Sequence, residues 1–329
     1  MAPRVAFTIY DMGYDFRREI ELMASLGMEA VFVPLDGTGD EAAIVEKLRG
    51  FDYVLAGPER WSAKVFGELR GKLKMVARLG VGVDSVDIEG ATAAGVAVSN
   101  APGANACSVA QHAVAMMLAL VRRLVKYDAA VRSGKELPRS IVGDLAGATV
   151  GLVGFGNIAR AAAEMLAGFG CEIIAYDVYW DEKEAERLKT SFATLDELAR
   201  RSDFVSVHVP LTEQTRGLIG AEFLGKMKPG AYLVNTSRGG VVNENDLAEA
   251  LRRNVIAGAG LDVSETPMYA AENPFRGLDN TLLTPYVAFS SALGNSRMFD
   301  MAIESVDDHF RGRPIRRLLN PGYVRNIAF

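Results

Sequence analysis

The sequence predicts an α/β fold of two doubly wound parallel-sheet domains, one interrupted by the other. Three observations carry this. Short apolar strand-like runs alternate with helical runs along the whole chain, as in strand–helix–strand units built around parallel sheets. The 329 residues are enough for two cores. The stretch after about residue 292 is too short to build a core of its own, so it is expected to return to the first unit.

In the first hundred residues, strands are expected at 4–9, 29–34, 53–57, 74–79 and 96–100. Helices are expected near 15–26, 40–49, 62–70 and 87–93. A second series opens near Ala101 with a strong helix over 108–123. Ser108 and Gln111 have the spacing of a capping box, which would satisfy free backbone N–H groups at that helix start. Strand-like runs follow at 149–155, 172–177, 204–209, 231–236 and 259–263, then a short one at 281–285. The tail carries a helical stretch over 296–310. The expected division is 1–100 with 293–329 for one domain and 101–292 for the other.

Bulk properties exclude several classes. Nearly half the residues are apolar and the net charge is about −5, with both signs mixed. That gives no bias toward nucleic acid or an anionic membrane. No apolar run approaches the roughly 18–20 residues of a membrane span, and the N-terminus has no signal-peptide pattern. Cys107 and Cys171 have neither metal-ligand nor disulfide spacing. Buried free thiols, no metal and a cytoplasmic setting are expected.

The run 149–166 reads as strand, glycine turn and helix, with Gly154, Gly156 and Ala159 in G-x-G-x-x-A order. The first glycine permits the turn and the second lets backbone approach a pyrophosphate. The small third residue packs helix on strand, and the helix N-terminus attracts phosphate. The next strand-like run ends in Asp177, placed to accept hydrogen bonds from an adenosine ribose and to repel a 2′-phosphate. NAD is therefore the expected cofactor. Pro210, Arg238, Asp262 and Tyr286 each fall at or just beyond the C-terminal end of an expected strand. In an open parallel sheet those ends line one ligand crevice.

With these motifs in view, the chain resembles the D-isomer-specific 2-hydroxyacid dehydrogenases. The segments VGLVGFGNIA, HVPLTEQTRGLIG, LVNTSRGGVVNENDL and GAGLDV carry the resemblance. It implies a Rossmann cofactor domain inserted into a flavodoxin-like substrate domain, a homodimer built on the cofactor domain, and a small acidic substrate. It places Asn157 and Ile158 at the pyrophosphate, Asp177 at the ribose, and Val209, Pro210 and Thr215 at the adenine. Val109, Thr236, Ser237, Arg238 and Asp262 would lie near the nicotinamide. Backbone around Val81 and Gly82 would hold the substrate carboxylate. Arg60 is a further substrate-binding candidate, because relatives contact substrate from this loop. Arg238 offers a planar fork to a keto acid and would stabilise charge growing on its carbonyl oxygen.

The chain departs from the family pattern where proton transfer is handled. Tyr286 stands where relatives place a catalytic histidine, and Pro267 where they place its glutamate partner. A one-residue deletion would bring Glu265 or Thr266 to the glutamate position. Gln111 also stands where a glutamate is usual. Tyr286 is either the proton donor, since a phenol titrating near 10 is protonated at neutral pH, or a pocket wall. His112 is expected to be packed or partly exposed, His208 to make a structural hydrogen bond, and His309 to be solvated. The expected activity is hydride transfer between NAD(H) and a small 2-hydroxy or 2-keto acid. The alternative is a catalytically weak NAD-binding protein acting as a redox sensor or partner-binding module.

Overall fold

The structure is a computed structural model, which describes residues 2–9, 14–35 and 40–326. It divides into two compact units: the chain up to Asn105 together with Ser291 onward, and Ala106–Ser290.

The first unit begins with β1 (Arg4–Phe7), α1 (Arg17–Ser25), β2 (Glu29–Phe32), α2 (Glu41–Leu48) and β3 (Tyr53–Ala56). It continues with α3 (Ala63–Glu68), β4 (Met75–Arg78), α4 (Ile88–Ala94) and β5 (Ala97–Ser99). The strands are all parallel, in the order β2-β1-β3-β4-β5. That is the flavodoxin-like winding. β3 is buried along its whole length, as expected for a strand covered on both faces. Asp40, Ser62 and Asp87 cap α2, α3 and α4 by accepting backbone N–H bonds, each filling donors that a helix start leaves unpaired.

The second unit opens with α5 (Ala106–Val121), α6 (Leu124–Arg132), β6 (Thr149–Val153), α7 (Asn157–Ala167) and β7 (Glu172–Tyr176). Then come α8 (Glu182–Arg187), β8 (Thr190–Phe192), α9 (Leu195–Arg201), β9 (Phe204–Val207) and α10 (Ala221–Lys226). It closes with β10 (Tyr232–Asn235), α11 (Glu244–Arg252), β11 (Gly258–Leu261) and β12 (Thr281–Leu283). Its parallel sheet runs β12-β11-β10-β9-β6-β7-β8, the Rossmann order. α7 buries Ala159, Ala162, Ala163 and Leu166. This three-and-four spacing puts all of them on one face. α5 and α7 join one apolar cluster with Val150, Leu152 and Val234, and Leu198, Leu233 and Leu247 belong to the cluster of the other.

The tail rejoins the first unit through α12 (Ala292–Phe310), capped by Ser291. Its Val306 is fully buried. Beyond it, Asn320 bonds the backbone of Val96 and Val98, and Leu319 N donates to Val98 O.

Local readings are corrected at several points. α5 starts at Ala106, so Ser108 lies inside the helix, and the Gln111 amide donates to Cys107 Sγ at 3.3 Å instead of closing a capping box. A capping box does exist at the start of α9, between Thr194 and Glu197. The thiols of Cys107 and Cys171 are free and half-buried. His309 is not solvated; its Nδ1 lies 3.2 Å from the hydroxyl of buried Tyr53, and burial lowers its pKa.

Candidate active site

In the second unit the winding reverses between β6 and β9, which are neighbours in the sheet although β7 and β8 intervene in the chain. Side chains and loops at the C-terminal ends of these strands bound the crevice where such sheets take ligands. Gly154 turns the chain there with φ +98°. A Cβ at this position would lie 3.0 Å from the His208 backbone carbon and 3.0 Å from Val209 Cγ1. Both backbone angle and contact therefore demand glycine. Gly156 follows as the N-cap of α7 with no side chain capping the helix, and a Cβ there would meet nothing within 4 Å. The exposed Asn157 and half-buried Ile158 begin the helix. Open approach and uncapped N–H groups are what a pyrophosphate needs.

Asp177 sits one residue past β7. Its Oδ2 accepts from Phe155 N at 2.6 Å and its Oδ1 from Tyr179 N at 2.8 Å. These bonds tie the carboxylate to the glycine turn and leave lone pairs on both oxygens for ribose hydroxyls. Val178 and Tyr179 beside it are 74% and 87% exposed, and neither is a cation. On the β9 side, Thr215 Oγ1 donates to Pro210 O at 2.6 Å, closing the loop that carries Val209 and Pro210. Val109 is buried on α5. His208 lies just past β9; both ring nitrogens are buried without a hydrogen-bond partner, against the bond expected from sequence. Burial pushes its pKa down to about 4, so the ring is neutral at ordinary pH. The buried Thr236 hydroxyl likewise has no partner. The cradle residues fit a dinucleotide.

Arg238 stands past β10 in a turn braced from below. Asn235 Oδ1 accepts from Ser237 N and Oγ at 3.0 and 2.8 Å, and Asn235 Nδ2 donates to Arg238 O at 2.9 Å. The guanidinium is half-buried, with Nη1 donating to Ser237 O at 2.8 Å. The first glycine that follows is required by packing: a Cβ on Gly239 would come within 2.4 Å of the Ser264–Glu265 backbone, whereas one on Gly240 would meet only the side-chain ends of Glu265 and Arg216, at 2.7 and 3.0 Å. Glu265 itself accepts from Arg216 Nη1 at 2.6 Å. That ion pair claims the carboxylate considered as a replacement for the family's glutamate. Glu244, at the start of α11, accepts from Ser264 Oγ, from Glu265 N at 2.6 Å and from Thr266 Oγ1 at 3.0 Å, and so holds the loop after β11.

Asp262 is only 1% exposed, and its carboxylate is filled by the turn that carries Tyr286. Oδ1 accepts from Thr284 Oγ1 at 2.5 Å and Val287 N at 2.9 Å, and Oδ2 from Ala288 N at 3.0 Å. Tyr286 N donates to Asp262 O at 2.8 Å. Tyr286 has φ +57°, in the left-handed region, and is 49% exposed, with its ring 5.3 Å from that of Phe289. Asn235, Glu244 and Thr284 went unnoticed in sequence. Only Asn235 left a signal there, an asparagine two residues before a serine at a strand end, the usual spacing of an Asx turn.

In the first unit, Val81 and Gly82 follow β4. Asn100 Nδ2 donates to Val81 O at 2.8 Å, and Ala101 N to Gly80 O at 2.9 Å. In a trans peptide the Gly82 N–H points opposite the Val81 carbonyl, away from Asn100. Arg60 is exposed on the loop after β3. Beside it, buried Glu59 accepts from Thr8 Oγ1 and from Trp61 Nε1 at 3.2 Å, which anchors the loop; burial raises its pKa.

Comparison with known proteins agrees with this architecture. Residues 114–288 match the family profile described as "D-isomer specific 2-hydroxyacid dehydrogenase, NAD binding domain". The chain is 39% identical over 302 residues to a glyoxylate reductase of Korarchaeum cryptofilum, covering 88% of this chain and 91% of that one. It is 37% identical over 249 residues to a D-3-phosphoglycerate dehydrogenase of Archaeoglobus fulgidus, covering 75% of this chain but 47% of that protein. The chain thus spans about half the length of the phosphoglycerate dehydrogenases it matches. The apo-structure of D-lactate dehydrogenase from Escherichia coli superposes with a TM-score of 0.84 at 27% identity, covering 96% of this chain and 99% of that one. Because the family profile spans more than half the chain and the glyoxylate reductase aligns over 91% of its own length, the protein belongs to the D-isomer-specific 2-hydroxyacid dehydrogenase family and carries its NAD-binding domain.

Proposed function

We propose that the protein transfers a hydride between NAD(H) and a small 2-hydroxy or 2-keto acid. The observation that carries this is Arg238, set past β10 by Asn235 in the same unit as the glycine cradle. NADH supplies the hydride. Arg238 binds the acid and stabilises the charge that grows on its carbonyl oxygen, and Tyr286 gives the proton. The backbone around Val81 and Gly82 serves the carboxylate, and Arg60 serves an acidic substrate tail. Thr236, Ser237 and Asp262 serve the nicotinamide side, with Val109; Val209, Pro210 and Thr215 serve the adenine.

Turnover against a panel of 2-keto acids, followed by NADH absorbance, tests this reading. Glyoxylate and hydroxypyruvate belong in the panel with pyruvate. NADH should support the reaction and NADPH should not, because Asp177 offers a 2′-phosphate only repulsion. Thermal-shift titrations should show the same order, since a ligand at a hundredfold excess over its Kd adds about 2.7 kcal/mol of stability. Equal shifts with both cofactors would remove Asp177 from the argument. NADH binding with no turnover on any acid would favour the redox-sensor reading.

We also infer a cytoplasmic homodimer with no nucleic-acid or membrane partner. No single helix among the described residues is long and apolar enough to cross a membrane. The support for a dimer is exposed apolar side chains on the cofactor unit: on α6, Leu124 and Val125 are each 55% exposed and Val131 78%, and in the loop after it Ile141 is 100% exposed. Exposed apolar side chains of this kind suit an interaction surface when they adjoin. Light scattering on the eluting protein should give the mass of two chains, and Val131→Glu should shift it toward one. A wild-type monomer at micromolar concentration would refute the dimer.

A further inference from the structure

We propose that His112, Thr284 and Asp262 form one positioning device that holds the Tyr286 turn. His112 Nε2 lies 3.0 Å from Thr284 Oγ1. The Thr284 hydroxyl donates its only proton to Asp262 Oδ1 at 2.5 Å. It must therefore accept from His112, which assigns a proton to Nε2 of that ring. The bonds run in one direction, from imidazole to hydroxyl to carboxylate.

The carboxylate then organises the chain after β12. Three consecutive backbone N–H groups, of Tyr286, Val287 and Ala288, all end on Asp262, the first on its carbonyl and the others on its carboxylate. A nest of successive N–H groups closed on an anion stabilises backbone that would otherwise be unfavourable. Tyr286 needs this, since its φ of +57° costs a non-glycine residue free energy. Asp262 in turn needs its donors, because a carboxylate 1% exposed has no water to pair with. His112 is the outer member of the chain, its side chain 25% exposed, with Nε2 3.7 Å from Asp262 Oδ1. It orients the hydroxyl by donating to it, so that the hydroxyl's own proton points to the carboxylate. In this chain the histidine left near the catalytic position acts on the backbone that presents Tyr286.

The effect on rate rests on Tyr286 being the proton donor; the hold on the turn does not. Two readouts on the full-length protein separate them: amide hydrogen exchange of the peptide 284–290, and kcat and KM with NADH and glyoxylate. Thr284→Val should raise exchange of the 286–288 amides on the order of tenfold, the equivalent of one lost hydrogen bond to a charged group. It should lower kcat by a similar factor with the KM for NADH within about twofold. Thr284→Ser should restore both. His112→Leu should behave like Thr284→Val, whereas His112→Gln, which keeps an N–H within reach, should stay close to wild type. Wild-type exchange in both Thr284→Val and His112→Leu would overturn the proposal. Faster exchange with unchanged kcat would support the hold and refute Tyr286 as the donor. If wild type does not reduce glyoxylate, the exchange data alone decide.

Discussion

Arg238→Lys should lower kcat/KM for the keto acid on the order of 10²–10³-fold, the usual loss when a donor to a developing oxyanion is removed. The charge survives this change, but the planar fork does not. A lysine ammonium reaches one oxygen of the carbonyl–carboxylate pair where a guanidinium spans two. The turn should remain intact, because Asn235 holds it through the backbone of Ser237 and the carbonyl of residue 238. NADH affinity should therefore stay within a few-fold. Steady-state kinetics and a fluorescence titration with NADH measure the two quantities separately. A lysine variant with wild-type kinetics would end the proposed role. A joint loss of turnover and NADH binding would show that Arg238 supports the fold of the cradle instead.

Tyr286→Phe should cut keto-acid reduction on the order of 10²-fold, the typical contribution of a positioned acid. The change keeps the ring and its contact with Phe289 and removes one hydroxyl. A pocket wall would tolerate it almost completely, so rate alone distinguishes the two roles. Tyr286→Gly supplies a second arm. Glycine adopts a φ of +57° without penalty, so it should leave stability unchanged or improve it by about 0.5–1 kcal/mol while abolishing proton donation. Stability gained and activity lost together would mark Tyr286 as a residue kept for function at the expense of backbone strain. A double variant, Tyr286→His with Pro267→Glu, restores the family's pair. Higher keto-acid reduction in that background would show that Arg238 and the cofactor cradle still suit this chemistry. Phe as active as wild type, with no gain from the double variant, would remove proton transfer at this position from the mechanism.

Much of the cofactor site was legible in sequence, because its determinants are local. Gly154, Gly156 and Ala159 act within one strand–turn–helix, and each is chosen by backbone angle or close packing a few residues away. Asp177 follows at the end of the next strand, so its bond to Phe155 N joins neighbouring strands of one sheet. Short elements were harder to see. β8 has only three residues, two of them exposed, too few to show a strand's alternation. α6 carries its apolar residues on the outside, Leu124, Val125 and Val131 among them, so its pattern does not mark a face turned to a core.

By itself, then, the sequence determined where most of the longer strands and helices form, where the glycine turn opens a helix to phosphate, and which residues stand near the C-terminal ends of strands. Those features depend on periodicity and on backbone sterics over a few residues. Only the tertiary structure decided who partners whom across the sheet. His112 meets Thr284 over a separation of 172 residues, and Arg216 takes Glu265 over 49. The S-x-x-Q spacing at Ser108 suggested a cap, yet the helix starts earlier because its buried face runs from Ala106. Parallel strands join through crossovers, so residues far apart in the chain end side by side. Their side-chain bonds follow from strand order and register, which leave no periodic trace in the sequence. For that reason Tyr286 could be singled out from the residues alone, while the hydrogen bonds among His112, Thr284 and Asp262 beside it became visible only in the folded chain.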